Sequence, residues 1–125
     1  MLAYSTIGVN HMAQSVVFYD AVFAPLGVTR DTTSRTWTGY SRAGESARFY
    51  LTMPHEGAAA TAGNGAMLAF LAPDRAAVDS FYAAVLEQGG VAEGEPGSGE
   101  GPEPAAYAVY VRDLDGNRLC AFVRV

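Results

Sequence analysis

The chain contains a repeat. Ser15–Val22, ending in Gly27-Val28, matches Val78–Val85, ending in Gly90-Val91. Phe18 and Phe81 lie 63 positions apart, and the same offset joins Tyr19 to Tyr82, Ala21 to Ala84, Val22 to Val85, Gly27 to Gly90 and Val28 to Val91. Six identities at one offset indicate a duplicated supersecondary unit, which constrains the fold more than any other feature. Each copy reads as a helix: Val78, Phe81, Tyr82 and Val85 recur at i, i+3, i+4 and i+7, one apolar face. Asp74 after Pro73 predicts an N-cap for the second helix and Asn10 one for the first. Gly89-Gly90 predicts the left-handed stop of the second helix, while Pro25 with Gly27 ends the first.

Strands are predicted before each helix, at 2–9 and 66–71, and after each helix. The later ones are 37–40 and 48–52 in the first copy, 107–111 and 118–125 in the second. Short strands at 28–30 and 91–92 complete each copy. Tyr40 pairs with Tyr110 and Arg42 with Arg112 at an offset of 70, which places about seven extra residues before the last hairpin of the second copy. They fall in the Gly/Pro/Glu-rich stretch 93–104, whose composition predicts a mobile loop and suits a lid. The expected organisation is one domain over 1–125: module 1 at about 1–54, a Gly/Ala linker at about 55–64 and module 2 at about 65–125. Such a linker lets the modules pair within one chain or swap between two, so a homodimer is compatible with it.

A length of 125 residues with 50% apolar and 17% charged residues suits a cored domain and excludes disorder. No apolar run approaches the ~18 residues a bilayer span needs. No basic segment precedes an apolar run at the start, so no signal peptide is expected. Cys120 is the single cysteine, which excludes an intramolecular disulfide and fits a reducing cytoplasm. Eight Lys and Arg against thirteen Asp and Glu, none of the basic residues clustered, argue against nucleic acid as a partner.

Each module thus reads strand, helix, three strands: an α+β fold of two tandem βαβββ modules. With Val111-Arg112-Asp113-Leu114-Asp115-Gly116-Asn117-Arg118-Leu119 closing the second, the pattern resembles the vicinal-oxygen-chelate superfamily of glyoxalases, extradiol dioxygenases and bleomycin-resistance proteins. Asp115-Gly116-Asn117 suits a tight strand connection. The stretches 37–40, 47–52 and 63–65 resemble a glyoxalase-like bacterial branch. The resemblance implies a curved mixed sheet around a shared cavity. It also implies four metal positions on the first and last strands of the modules, falling here at Tyr4, Tyr50, Met67 and Cys120.

Members with a metal place His, Gln or Glu at those positions. The set found here has no carboxylate or imidazole, so no metal cofactor is expected, and the expected cavity has an apolar, aromatic lining. Trp37, Tyr40 and Tyr110 join Tyr50 as candidates to line it, the alternative being sheet core. His55, beside Glu56 in the linker, is the histidine better placed to touch a ligand; His11 falls near the first helix start. Cys120 as a nucleophile would need a base that the sequence does not locate. Arg48 and Arg112 can meet an anion, though solvated faces are the expected role. The expected function is a metal-independent binder of a small apolar or aromatic molecule. The competing readings are a lyase, isomerase or dioxygenase with atypical or no metal ligands, and a domain for protein association.

Overall fold

The computed structural model describes residues 1–54, 57–99 and 101–124. Two four-stranded mixed sheets each carry one helix. In module 1, β1 (Tyr4–Gly8) leads to α1 (Met12–Phe23), a 3-10 turn (Ala24–Leu26), β2 (Val28–Thr33), β3 (Trp37–Arg42) and β4 (Arg48–Thr52). In module 2, β5 (Leu68–Leu71) leads to α2 (Arg75–Glu87), β6 (Val91–Ala92), β7 (Tyr107–Arg112) and β8 (Arg118–Val123). The strand orders are β1-β4-β3-β2 and β5-β8-β7-β6, with the first strand parallel to the last in each sheet. The two tandem βαβββ modules of the sequence reading are therefore present.

Alternation along the strands sorts the faces. Phe49 and Leu51 of β4 are buried, as are Val109 and Val111 of β7 and Leu119 and Ala121 of β8. They meet Phe18, Tyr19, Val22 and Phe23 of α1 and Val78, Phe81 and Val85 of α2 in one continuous core. Each large apolar side chain buried this way contributes about 1.5–3 kcal/mol. The modules join where α1 packs along α2 and where the Phe70 ring of β5 meets Phe23 and Phe49, at 5.0 and 5.4 Å between centroids.

Asp74 caps α2, its side chain accepting from the Ala77 amide at 2.8 Å, and Gly89 (φ 87°) and Gly27 (φ 72°) take the left-handed conformation after their helices. Asn10 does not cap α1. The cap position belongs to His11, without a side-chain bond, because Asn10 is engaged elsewhere. Its amide nitrogen Nδ2 donates to Asp115 Oδ1 at 2.8 Å, and its Oδ1 accepts from the Ala60 amide at 2.7 Å. One side chain thus fastens the β7–β8 turn and the inter-module linker to the entry of α1.

The stretch 93–104 also differs from its expectation. Gly97 exchanges two backbone hydrogen bonds with Ala108 of β7, and the Gly99 amide donates to the Pro104 carbonyl. Glu103 accepts two bonds from Arg124, at 2.7 and 3.0 Å. A composition too poor to form a core is held by backbone pairing and a two-pronged ion pair, and residues 93–99 and 101–104 lie as a strap over one face of the second sheet.

Candidate functional site

On each sheet one face packs against the helix and the other is turned away from it. In module 1 the face turned away carries Tyr4 and Thr6 of β1, Trp37 and Gly39 of β3, and Arg48, Tyr50 and Thr52 of β4. Tyr50 is the hub. Its ring meets Tyr4 edge to face at 5.5 Å and Trp37 at 5.6 Å, and the Arg48 guanidinium carbon lies 5.2 Å from its centroid. Two members of this row stay open to solvent: Tyr4 is 57% exposed and Trp37 46%. This aromatic surface is left unburied beside a cleft, whereas the aromatics on the opposite face are core. The adjoining cleft, of about 590 Å³, is bordered by Thr6, Thr36, Trp37, Thr52 and Met53, with Thr61 of the linker. A second cleft, of about 220 Å³, is bordered by Tyr4, Ser5, Ser41 and Arg48 and by Ala69 and Leu71 of β5.

Module 2 presents Met67, Ala69, Ala108, Tyr110, Cys120 and Phe122 on the corresponding face. Pro102 and Glu103 of the strap, with Ala106 just after it, close over them and leave a cavity of only about 50 Å³. That volume admits a few waters and no aromatic ring. Strap and floor are tightly packed, since a Cβ added at Gly101 would stand 2.3 Å from the Tyr110 hydroxyl.

Strand register adds to the difference between the two faces. Thr6 pairs with Tyr50, and Ala69, its mate 63 positions on, pairs with Cys120, so Tyr50 and Cys120 are equivalent positions. Across the next ladder Tyr50 faces Gly39, whereas Cys120 faces Tyr110. Gly39 and Tyr110 are therefore structural mates. The sequence pairing of Tyr40 with Tyr110 is displaced by one residue on this side of the sheet, and one residue exchanges the faces of a strand. Tyr40 accordingly points to the helix side. It is 1% exposed, its ring lies against Phe23 at 5.2 Å and its hydroxyl donates to Asp20 at 2.9 Å. Burial raises its phenol pKa, so it remains a neutral donor. Tyr40 also borders the smaller cleft.

The four positions implied by resemblance divide between the two faces. Tyr4 and Tyr50 touch each other on the first, Met67 and Cys120 share the covered cavity on the second. Their donors do not fit a divalent cation: two phenols, a thioether, and a thiol whose pKa burial pushes up to about 11. Among the described residues no three His, Cys, Asp or Glu side chains cluster. His55 lies outside the described residues, and His11 stands exposed at the start of α1.

The raised thiol pKa has a measurable consequence. At pH 8 roughly one part in a thousand of Cys120 would be thiolate, against about a quarter of a free cysteine. Alkylation by iodoacetamide is therefore expected to run on the order of a hundredfold slower than for free cysteine. Rates measured by mass spectrometry from pH 7 to 10 check this; a rate near that of free cysteine at pH 8 would contradict it.

Sequence reasoning passed over Gly39. Its signal was a glycine inside the strand Trp37-Thr38-Gly39-Tyr40, which marks a close approach of other groups. A Cβ there would meet Thr32 Oγ1 at 2.7 Å and Arg48 Nη2 and Tyr50 Cε1 at 2.9 Å. Arg48 can cross β3 to Asp31 of β2 because nothing projects from position 39.

A family model for the glyoxalase/bleomycin resistance protein/dioxygenase superfamily matches residues 2–121. A glyoxalase/bleomycin resistance protein from Albidiferax ferrireducens T118 is 34% identical, with all of this chain and 99% of that one aligned at a TM-score of 0.90. A glyoxalase-related enzyme from Fulvimarina pelagi is similar at 18% identity and a TM-score of 0.77, covering 99% of this chain and 88% of the other. Lactoylglutathione lyase from Agrobacterium tumefaciens aligns at 20% identity and 0.68, covering 98% and 92%. These two likenesses speak for the fold alone. No protein with a curated description matches. Among the described residues no helix is long and apolar enough to cross a membrane. With its repeat, its paired βαβββ sheets and a family match over nearly its whole length, the chain belongs to the glyoxalase/bleomycin resistance protein/dioxygenase superfamily.

Proposed function

We propose that this protein binds a flat, mostly apolar small molecule on the open face of module 1, without a metal and without transforming it. The observation that carries the reading is the exposed row Tyr4–Tyr50–Trp37 beside a cleft of about 590 Å³. Edge-to-face packing holds the rings before a ligand arrives, so little side-chain freedom is lost on binding. The threonines around the cleft offer hydroxyls that orient a polar substituent. The donor chemistry at Tyr4, Tyr50, Met67 and Cys120 supports metal independence, and the buried thiol of Cys120 suits a reducing cytoplasm.

A ligand burying ~200 Å² of apolar surface gains about 5 kcal/mol before association entropy is subtracted. Micromolar or weaker affinity is the natural scale. Trp37 is the single tryptophan, so its fluorescence reports on the site directly. Titration with flat aromatic compounds is expected to perturb this emission, and Trp37→Ala to weaken binding, followed by calorimetry, about tenfold. Met67→Trp, placed under the strap, should leave the affinity unchanged, and so should EDTA. Loss of binding in Met67→Trp, or after chelation, would move the site or reinstate a metal. Metal-dependent turnover of the hemithioacetal of methylglyoxal and glutathione at enzyme-like rates would overturn the binder reading.

A further inference from the structure

The charge at one end of the aromatic row says what kind of molecule it takes. Arg48 and Arg118 are equivalent positions, since Tyr4 pairs with Arg48 in β4 and both last strands share one offset. Their surroundings differ. Arg118 stacks over Tyr110 at 5.2 Å and gives its Nε to Glu93 at 2.8 Å. Arg48 lies across Gly39 and reaches Asp31 through Nη2 alone, and the other Asp31 oxygen is engaged by the Ser41 hydroxyl at 2.7 Å. Its Nε is buried and, among the described residues, is the one buried side-chain nitrogen or oxygen with no hydrogen-bond partner. A desolvated guanidinium donor left unpaired is costly, and such groups persist where something else supplies the acceptor.

The position of Arg48 fits that role. The row Trp37–Tyr50–Tyr4 runs from the larger cleft to the cleft of about 220 Å³, which Tyr4, Ser5, Ser41 and Arg48 border. A molecule lying along the row has a ring against Trp37 and Tyr50 and its far end at the guanidinium. We propose that the ligand of this face is an aromatic carboxylate, and that Arg48 receives the carboxylate while the aromatic row receives the ring. The planar, delocalised guanidinium matches a carboxylate in shape and charge, Arg48 borders the smaller cleft, and 35% of its side chain is exposed. This inference rests on the binding reading above and adds the ligand's charge and its recognition residue.

The test compares 2-naphthoate with its neutral isostere 2-naphthamide by calorimetry at pH 7.5, in the intact chain. Wild type is expected to bind the anion at least tenfold more tightly. Arg48→Gln should abolish that preference and leave the amide's affinity within about threefold. Arg118→Gln, on the other module, should leave the preference intact. If Arg48→Gln does not fold by circular dichroism, salt decides on wild type: raising NaCl from 20 to 500 mM should weaken naphthoate severalfold and naphthamide little. Equal affinities in wild type, a preference that survives Arg48→Gln, one that disappears instead in Arg118→Gln, or one insensitive to salt would each overturn the carboxylate assignment while leaving an aromatic site. Absence of binding by both compounds would overturn the aromatic site as well.

Discussion

Replacing Asp113 by alanine is expected to destabilise the protein by about 3–5 kcal/mol, because hydrogen bonds to a charged acceptor contribute about 1.5–3 kcal/mol each and several donors would lose theirs at once. Asp113 is 5% exposed and accepts four hydrogen bonds: from Tyr19 Oη at 2.6 Å, Asn117 Nδ2 at 3.0 Å, and the amides of Asn117 and Asp115 at 2.8 and 2.9 Å. It joins the β7–β8 turn of module 2 to α1 of module 1. The same turn reaches β1 through Asn117 Nδ2, which donates to the Gly8 carbonyl at 3.1 Å. Alanine would strand four donors, two of them from side chains that bridge the modules. For a chain of this size the melting temperature should fall by roughly 10–20 °C. Tyr19→Phe removes one donor and should cost only about 1–2 kcal/mol. Melting curves of both variants and of the double mutant check this, and additive losses would mean that the pair is not coupled. Burial first, and then the neighbouring Asp113 charge, raise the Tyr19 pKa well above its usual value. A pKa raised by folding stabilises fully below the unfolded value of about 10 and is progressively lost above it. Wild type should therefore lose stability above about pH 10 more steeply than Tyr19→Phe.

Gly39→Leu is expected to remove ligand binding at least a hundredfold while leaving the protein folded. The new side chain would occupy the hollow between Arg48, Tyr50 and Thr32, where even a Cβ comes within 3 Å of each. Those neighbours are ends of side chains, so they can yield, and the cost in stability should be about 1–3 kcal/mol. Calorimetry with an aromatic ligand and a thermal melt separate the two effects. Retained affinity in a folded Gly39→Leu protein would place the binding site elsewhere on the molecule.

The two effects differ in how far the sequence foretold them. Asp113 and Asn117 stand in the closing-hairpin signature, and the sequence indicates a tight turn there. It does not indicate that the turn reaches across to Tyr19, 94 positions earlier, or to Asn10, because those partners meet only when the modules pack. Asn10 illustrates the competition: its local preference is to cap a helix, and two longer-range bonds take it instead. The strap over module 2 has the same origin. Its composition predicts no structure of its own, and its order comes from pairing with Ala108 of the strand that follows it and from Arg124, twenty-one positions beyond Glu103.

The duplication, the βαβββ order of each copy and the apolar helix face were already written in the residue pattern. These follow from periodicity and residue type, which are local properties. The tertiary structure decided which half of the repeat stays open. That choice turns on the strap over the second sheet and on a one-residue register difference, which sets the small Gly39 opposite Tyr50 and the bulky Tyr110 opposite Cys120. Register is fixed by the ladder as a whole and by what packs on each side of it. Identical residues at a constant offset, as with Tyr40 and Tyr110, can therefore end on opposite faces.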